Sequence, residues 1–165
     1  MPYRVLKIYT DGAALHNGQP YARGGYGVVC PFDRSLDCHG FFTHGNQTCN
    51  RYELEGIKRG LLIAMEIDGK CHIKIYTDSR YAIGALTNWL AKWKRNGWMT
   101  NAGKPVKNRE LIESIDELMR DMDYYDKSVE LVHVRGHQSN YYNDEADRLA
   151  KLGAELNNVH DCDSD

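Results

Sequence analysis

Ile8-Tyr9-Thr10-Asp11-Gly12 and Ile75-Tyr76-Thr77-Asp78-Ser79 are near-copies of one another. Each sets an aspartate directly after a short run with the composition of a β-strand. Open α/β sheets bind ligands outside the carboxyl ends of their strands. If the two strands are neighbours, Asp11 and Asp78 leave the sheet side by side. Two carboxylates that close repel unless something positive lies between them. A divalent cation meets that need, and hard oxygen ligands suit Mg2+ or Mn2+. Singly, each aspartate has a structural reading, because Asp-Gly is a common turn and Asp-Ser a common helix N-cap. The duplication favours a functional one.

The flanking pattern supplies the rest of the fold. Arg4–Thr10 alternates as a strand, and Leu15–Gly25, with Asn17-Gly18, Pro20 and Gly24-Gly25, reads as a loop. Gly27–Phe32 and Cys38–Thr43 read as strands joined by the polar Asp33-Arg34-Ser35 turn, a hairpin meander. Helical spacing covers Cys49–Ile67, Ser79–Leu90, Lys107–Met122 and Asn143–Leu156; strands are predicted at Ile73–Thr77 and Ser128–Arg135. The order β-β-β-α-β-α-α-β-α predicts an α/β protein. Its five-stranded mixed sheet, an antiparallel meander plus two parallel strands, is flanked by helices. Residues 1–157 are expected to form one catalytic domain, and residues 158–165 an acidic, flexible tail.

A chain of 165 residues suits one domain, and 42% hydrophobic with 27% charged residues is the composition of a soluble globular protein. No apolar run approaches the ~20 residues of a membrane span, and no signal peptide is visible. The cysteines, Cys30, Cys38, Cys49, Cys71 and Cys162, are odd in number and contain no C-x-x-C pair. That argues against a disulfide framework or a cysteine zinc site, and for an intracellular, cytoplasmic setting, with nucleus or organelle also compatible. The net charge of −2 gives little attraction to a polyanion. Its distribution gives more: Lys92, Lys94, Arg95, Lys104, Lys107 and Arg109 follow Trp89 with no acid among them. Such a basic arm is what a phosphate backbone would feel.

At about 100° per residue, Glu53 falls at the rim of an apolar arc holding Leu54, Ile57, Gly60, Leu61 and Ala64. Glu55, Lys58, Arg59 and Glu66 fall on the far side. Gly56 and Gly60 would let this helix approach the sheet closely. The alternative is an acid favoured by the helix N-terminus. Asp147 sits at the edge of the arc formed by Leu149, Ala150, Leu152, Gly153, Ala154 and Leu156, and on its own reads as an exposed residue near a helix start. His133 reads as a structural strand residue. His137 follows the last strand, at the same sheet edge as Asp11 and Asp78.

Tyr9-Thr10-Asp11-Gly12, Asn50-Arg51-Tyr52-Glu53-Leu54, Thr77-Asp78-Ser79-Arg80-Tyr81, Val134-Arg135-Gly136-His137 and Asn143-Asp144-Glu145-Ala146-Asp147 resemble, in order, the successive motifs of type 1 ribonuclease H. The resemblance spans roughly Arg4 to Leu156. Trp89–Lys107 is similar to the basic protrusion of the cellular, stand-alone enzymes. The long loop Ala14–Gly27 is similar to that of eukaryotic relatives, without the N-terminal hybrid-binding domain many of those carry. The family has a polar residue, often Asn, where this chain has Cys49; a thiol is a poor hydrogen-bond partner, so its side chain is assigned no binding role.

The resemblance implies an endoribonuclease that hydrolyses the RNA strand of RNA–DNA hybrids, leaving 5′-phosphate and 3′-hydroxyl ends. It implies two Mg2+ ions about 4 Å apart, with Mn2+ a substitute. Asp11 would bridge both ions, with Glu53 and Asp78 toward the leaving group and Asp147 toward the attacking water. His137 would shuttle protons or assist product release. Selectivity would rest on the 2′-hydroxyl, read by Asn17 and Asn50 and by backbone groups of Gly12 and Ala13. Thr48, at a helix N-terminus, would hold a DNA phosphate. Tyr81, Trp89 and Trp93, interleaved with Lys92, Lys94 and Arg95, would grip the DNA strand, although Trp89 and Trp93 at i and i+4 also read as core. Neither an obligate protein partner nor a membrane is implied, and a monomer suffices. The competing readings are a DNA-directed nuclease of the integrase or resolvase kind and a non-catalytic hybrid-binding module.

Overall fold

The computed structural model describes residues 3–135 and 140–157. His137 and the predicted acidic tail at 158–165 lie outside the described residues. The strands are β1 (Arg4–Leu15), β2 (Arg23–Val29), β3 (Cys38–Gly40), β4 (Cys71–Thr77) and β5 (Lys127–His133). The helices are α1 (Cys49–Met65), α2 (Arg80–Leu86), α3 (Leu90–Asn96), α4 (Arg109–Tyr124) and α5 (Tyr141–Leu156). The five strands form one sheet in the order β3-β2-β1-β4-β5. β1–β2 and β2–β3 are antiparallel, and β1–β4 and β4–β5 are parallel, as predicted.

Period-two alternation decides what each face buries. Leu6 and Ile8 of β1 and Ile73 and Ile75 of β4 join one core with Leu54, Ile57 and Leu61 of α1 and Ile112, Ile115 and Met122 of α4. Tyr9 and Val29 join a second cluster with Ala146 and Leu149 of α5. That helix packs so tightly on β2 that a β-carbon on Gly27 would lie 2.3 Å from the Ala146 carbonyl oxygen.

Three expectations need correction. The first aspartate does not follow its strand. Pairing of β1 with β4 ends at Tyr9↔Tyr76, but pairing with β2 continues through Asp11↔Gly27 to Leu15↔Arg23. The predicted Leu15–Gly25 loop therefore shrinks to residues 16–22, and Gly24-Gly25 is strand. The predicted Ser79–Leu90 helix stops at Leu86 and a further helix, Leu90–Asn96, follows it, so three rather than two lie between β4 and β5. Thr87, at φ −126° and ψ −89°, leaves helical space, its hydroxyl donates to the Ile83 carbonyl at 2.5 Å, and Trp89 folds back over Gly84. Helical periodicity cannot see that reversal. Glu55, placed on the outer side by the wheel, is buried and faces Arg51 at 3.6 Å.

Candidate active site

Three elements bring the first carboxylates together. Asp11 lies just beyond the parallel pairing of β1, and its Oδ1 accepts the Gly12 N–H at 2.9 Å. Asp78 follows the end of β4 and precedes α2, whose N-cap Ser79 hydroxyl accepts the Ala82 N–H at 3.0 Å. Glu53 stands near the start of α1, where Thr48 caps the helix by accepting the Arg51 N–H at 3.2 Å. One carboxylate oxygen from each of Asp11, Glu53 and Asp78 lies within 4.8 Å of the others. Asp147, on α5, borders this group closely enough to act on the Asp11 carboxyl. Its side chain is 43% exposed and accepts a 2.7 Å ion pair from Lys151.

The group is electrostatically strained without a cation. Burial first, then the Asp78 charge, push the Asp11 carboxyl up to about 8. Burial and the charges of Asp11 and Asp78 hold the Glu53 carboxyl well above the usual range. Asp78 is raised too, chiefly by burial, with His133 opposing. His133 is the last residue of β5 and is exposed. Oε2 of Glu53 is buried with no hydrogen-bond partner among the described residues. An orphaned, buried carboxylate oxygen among carboxylates is costly, and a hard divalent cation is the group that would satisfy it. The donor set therefore fits the metal that the sequence implies.

A cleft of about 500 Å3 opens at the start of α1 and is lined by Asn17, Thr48, Cys49, Asn50, Tyr81 and Asn108, among others. It unites four of the predicted substrate residues: Asn17, Thr48, Asn50 and Tyr81. Asn17 Oδ1 accepts the Cys49 N–H at 3.3 Å, so the loop before β2 is tied to the helix. Asn108 is a lining residue that sequence reading missed. Its backbone is left-handed at φ +62°, and its side chain donates to the Tyr81 hydroxyl at 3.1 Å. The sequence pattern puts Asn108 inside the predicted Lys107–Met122 helix, whereas the helix starts one residue after it, at Arg109. Gly12 and Ala13 sit in β1 away from this lining, and the Gly12 N–H is already taken by Asp11.

The predicted arm is a separate surface. Trp89, Lys92, Trp93, Thr100 and Asn101 line a second cleft of about 230 Å3. Tyr81, Trp89, Trp93 and Trp98 form a chain of rings with centroids 5.8–6.5 Å apart. Trp89 is 43% exposed, so it is not simply core, whereas Trp93 packs partly against the core. Lys92 donates to Asn101 Oδ1 at 2.5 Å. Lys94 is paired with Asp116 of α4 at 2.7 Å, an acid that the local charge run concealed. Arg95 is exposed.

The family model described as RNase H matches residues 4–155. Ribonuclease H of Clostridium botulinum is 38% identical over 154 residues, covering 92% of this chain and 97% of the relative. Ribonuclease H1 of Mus musculus is 37% identical over 147 residues, covering 89% of this chain; the chain spans about half the length of that relative, 49%. The solution structure of the PFV RNase H domain superposes with a TM-score of 0.69 at 25% identity, covering 95% of this chain and 98% of that one. Matched along nearly its whole described length, and by a relative of its own size, the chain belongs to the ribonuclease H family, a family of divalent-metal-dependent nucleases.

Proposed function

We propose that this protein hydrolyses the RNA strand of RNA–DNA hybrids, leaving 5′-phosphate and 3′-hydroxyl ends. The observation that carries the reading is the Asp11–Glu53–Asp78 group, with its orphaned Glu53 oxygen, near a polar cleft of duplex-contacting residue types. Asp11, Glu53, Asp78 and Asp147 would hold two Mg2+ ions, or Mn2+ in their place. When bound, such ions supply an activated water and charge neutralisation at the scissile phosphate.

The chain's own residues do the rest. Burial of Asp11 and Glu53 excludes water from the carboxylates and fixes their directions. Asn17 and Asn50, which line the cleft, would hydrogen-bond a minor groove and its 2′-hydroxyls. Thr48 presents the start of α1, whose dipole favours a phosphate. Tyr81, with the Trp89, Trp93, Lys92 and Arg95 surface, would receive the DNA strand. Gly12 and Ala13 would offer carbonyl oxygens, and His137 would move a proton near neutral pH. The free thiols of Cys30, Cys38, Cys49 and Cys71 support a reducing, intracellular site of action. A monomer without an obligate protein partner suffices for this chemistry.

The test is cleavage of end-labelled RNA–DNA, RNA–RNA and DNA–DNA duplexes with Mg2+, Mn2+ or EDTA. Metal-dependent cutting of RNA in the hybrid alone is expected. Cutting of the DNA duplex would support an integrase-like nuclease, and binding without turnover a recognition module; either would overturn the proposal.

A further inference from the structure

We infer that Tyr9, Tyr76 and Tyr142 form a seat that positions Asp147. The inference rests on the assignment of Asp147 to the metal site. Tyr9 and Tyr76 are the tyrosines of the duplicated Ile-Tyr-Thr-Asp motif. They are register partners across the parallel β1–β4 pair. Alternation sends Ile8, Thr10, Ile75 and Thr77 into fully buried positions on one face and both tyrosines to the other. There their rings stack, with centroids 4.6 Å apart and planes within 11°. Tyr142, in the first turn of α5, lies on Tyr9 at 5.3 Å. The Arg34 guanidinium is 5.7 Å from the Tyr142 ring centroid.

Asp147 needs such support more than the other carboxylates. Asp11 is held in the sheet, Asp78 at a strand end, and Glu53 beneath close helix packing. Asp147 is carried only by the pose of α5, and its partner Lys151 is on the same helix and moves with it. From Ala146, one residue before Asp147, α5 lies backbone to backbone on β2, with Gly27 beneath Ala146 and Gly25 beneath Ala154. That contact is on β2 alone and leaves the roll of α5 toward β1 and β4, which Tyr142 limits by bearing on Tyr9. Tyrosine rings, with two side-chain torsions, make a stiff stop. Displacements of about 1 Å at a catalytic group cost up to about 100-fold in rate.

The test compares Tyr142→Ala, Tyr142→Phe, Asp147→Asn and the Tyr142→Ala/Asp147→Asn double variant. Mn2+ binding by calorimetry and kcat and KM on a hybrid are the readouts. Tyr142→Ala should weaken Mn2+ binding and lower kcat, each about tenfold, at unchanged KM. Tyr142→Phe should stay within about twofold, because the ring and not the hydroxyl carries the contact. The double variant should be no worse than Asp147→Asn alone, as expected when one change acts through the other. If Tyr142→Ala does not fold, Tyr76→Leu, one ring further from α5, replaces it with the same expected losses. Wild-type Mn2+ binding in the alanine variant, or losses that multiply in the double variant, would overturn the seat while leaving the metal site standing. An Asp147→Asn protein with wild-type metal binding and turnover would remove the metal-site assignment, and the seat with it.

Discussion

A β-carbon on Gly12 would lie 2.2 Å from the backbone nitrogen of Glu53. Strand β1 and helix α1 thus touch backbone to backbone where Asp11 and Glu53 arise. A side chain there cannot be absorbed by a rotamer change, because the obstacle is main chain. Gly12→Ala should therefore push α1 away, destabilise the protein by about 3 kcal/mol or more, and separate Glu53 from Asp11. Urea unfolding and Mn2+ calorimetry check this; wild-type stability and metal affinity together would show that strand and helix have room to spare.

The raised Asp11 carboxyl sets a pH dependence for the metal-free protein. Near pH 3 the carboxyl is protonated in both folded and unfolded chains. As pH rises past the ordinary 3.8, the unfolded chain releases the proton while the folded chain keeps it until about 8. Stability attributable to this group therefore falls across that window, because the folded state binds more protons. Unfolding in EDTA at pH 5 and pH 8 should show the decline, and saturating Mg2+ should reverse it at pH 8. Asp11→Asn should flatten the slope and raise the melting temperature in EDTA at pH 8. It should also abolish cleavage while hybrid binding survives in Ca2+. A slope identical in wild type and Asp11→Asn would show that burial at Asp11 is not its source.

The sequence carried this site unevenly, for physical reasons. Asp11 and Asp78 were legible because a strand pattern is local and the motif is duplicated. Glu53 was legible because a helical wheel exposes an acid on an apolar arc. Asp147 was not: its neighbours on the wheel are ordinary, and only sheet packing brings α5 to Asp11. Glu55 shows the wheel failing in the other direction, since Arg51 buries an acid that the arc had left outside. The extension of β1 past Asp11 was hidden because it depends on β2, and the break at Thr87 because it depends on Trp89 reaching Gly84. Lys94 looked like a free cation until Asp116, distant in sequence, came to face it.

That last pairing divides the basic arm. Replacing Lys92, Lys94 and Arg95 together by alanine should raise KM and flatten its salt dependence, by about 0.7–0.9 in log–log slope for each phosphate no longer neutralised. Lys94→Ala alone should do least, because Asp116 already neutralises that charge. KM measured from 50 to 200 mM salt separates the cases. An unchanged slope in the triple variant would remove the arm from the substrate surface.

Lys127 anchors the far end of the Glu53 helix. Its side chain is buried, and its ammonium donates to the carbonyls of Ala64 at 3.0 Å, Met65 at 3.1 Å and Ile67. The last turn of α1 has no basic residue of its own, and terminal carbonyls left without donors are costly when buried. A cation from β5 donates to two carbonyls of that turn and to one just beyond it, and opposes the negative end of the helix dipole. Lys127→Met keeps the apolar stem and removes the donor. It should destabilise the fold by about 2–4 kcal/mol, as loss of a buried, hydrogen-bonded charge does. The carboxylates at the other end of the helix are untouched, so kcat measured well below the lowered melting temperature should stay within about twofold of wild type. Urea unfolding beside steady-state hybrid cleavage checks both halves. Equal stability would mean that water satisfies the carbonyls as well as lysine does. Normal stability with a lost kcat would mean that Lys127 reaches the catalytic group by a route other than holding α1.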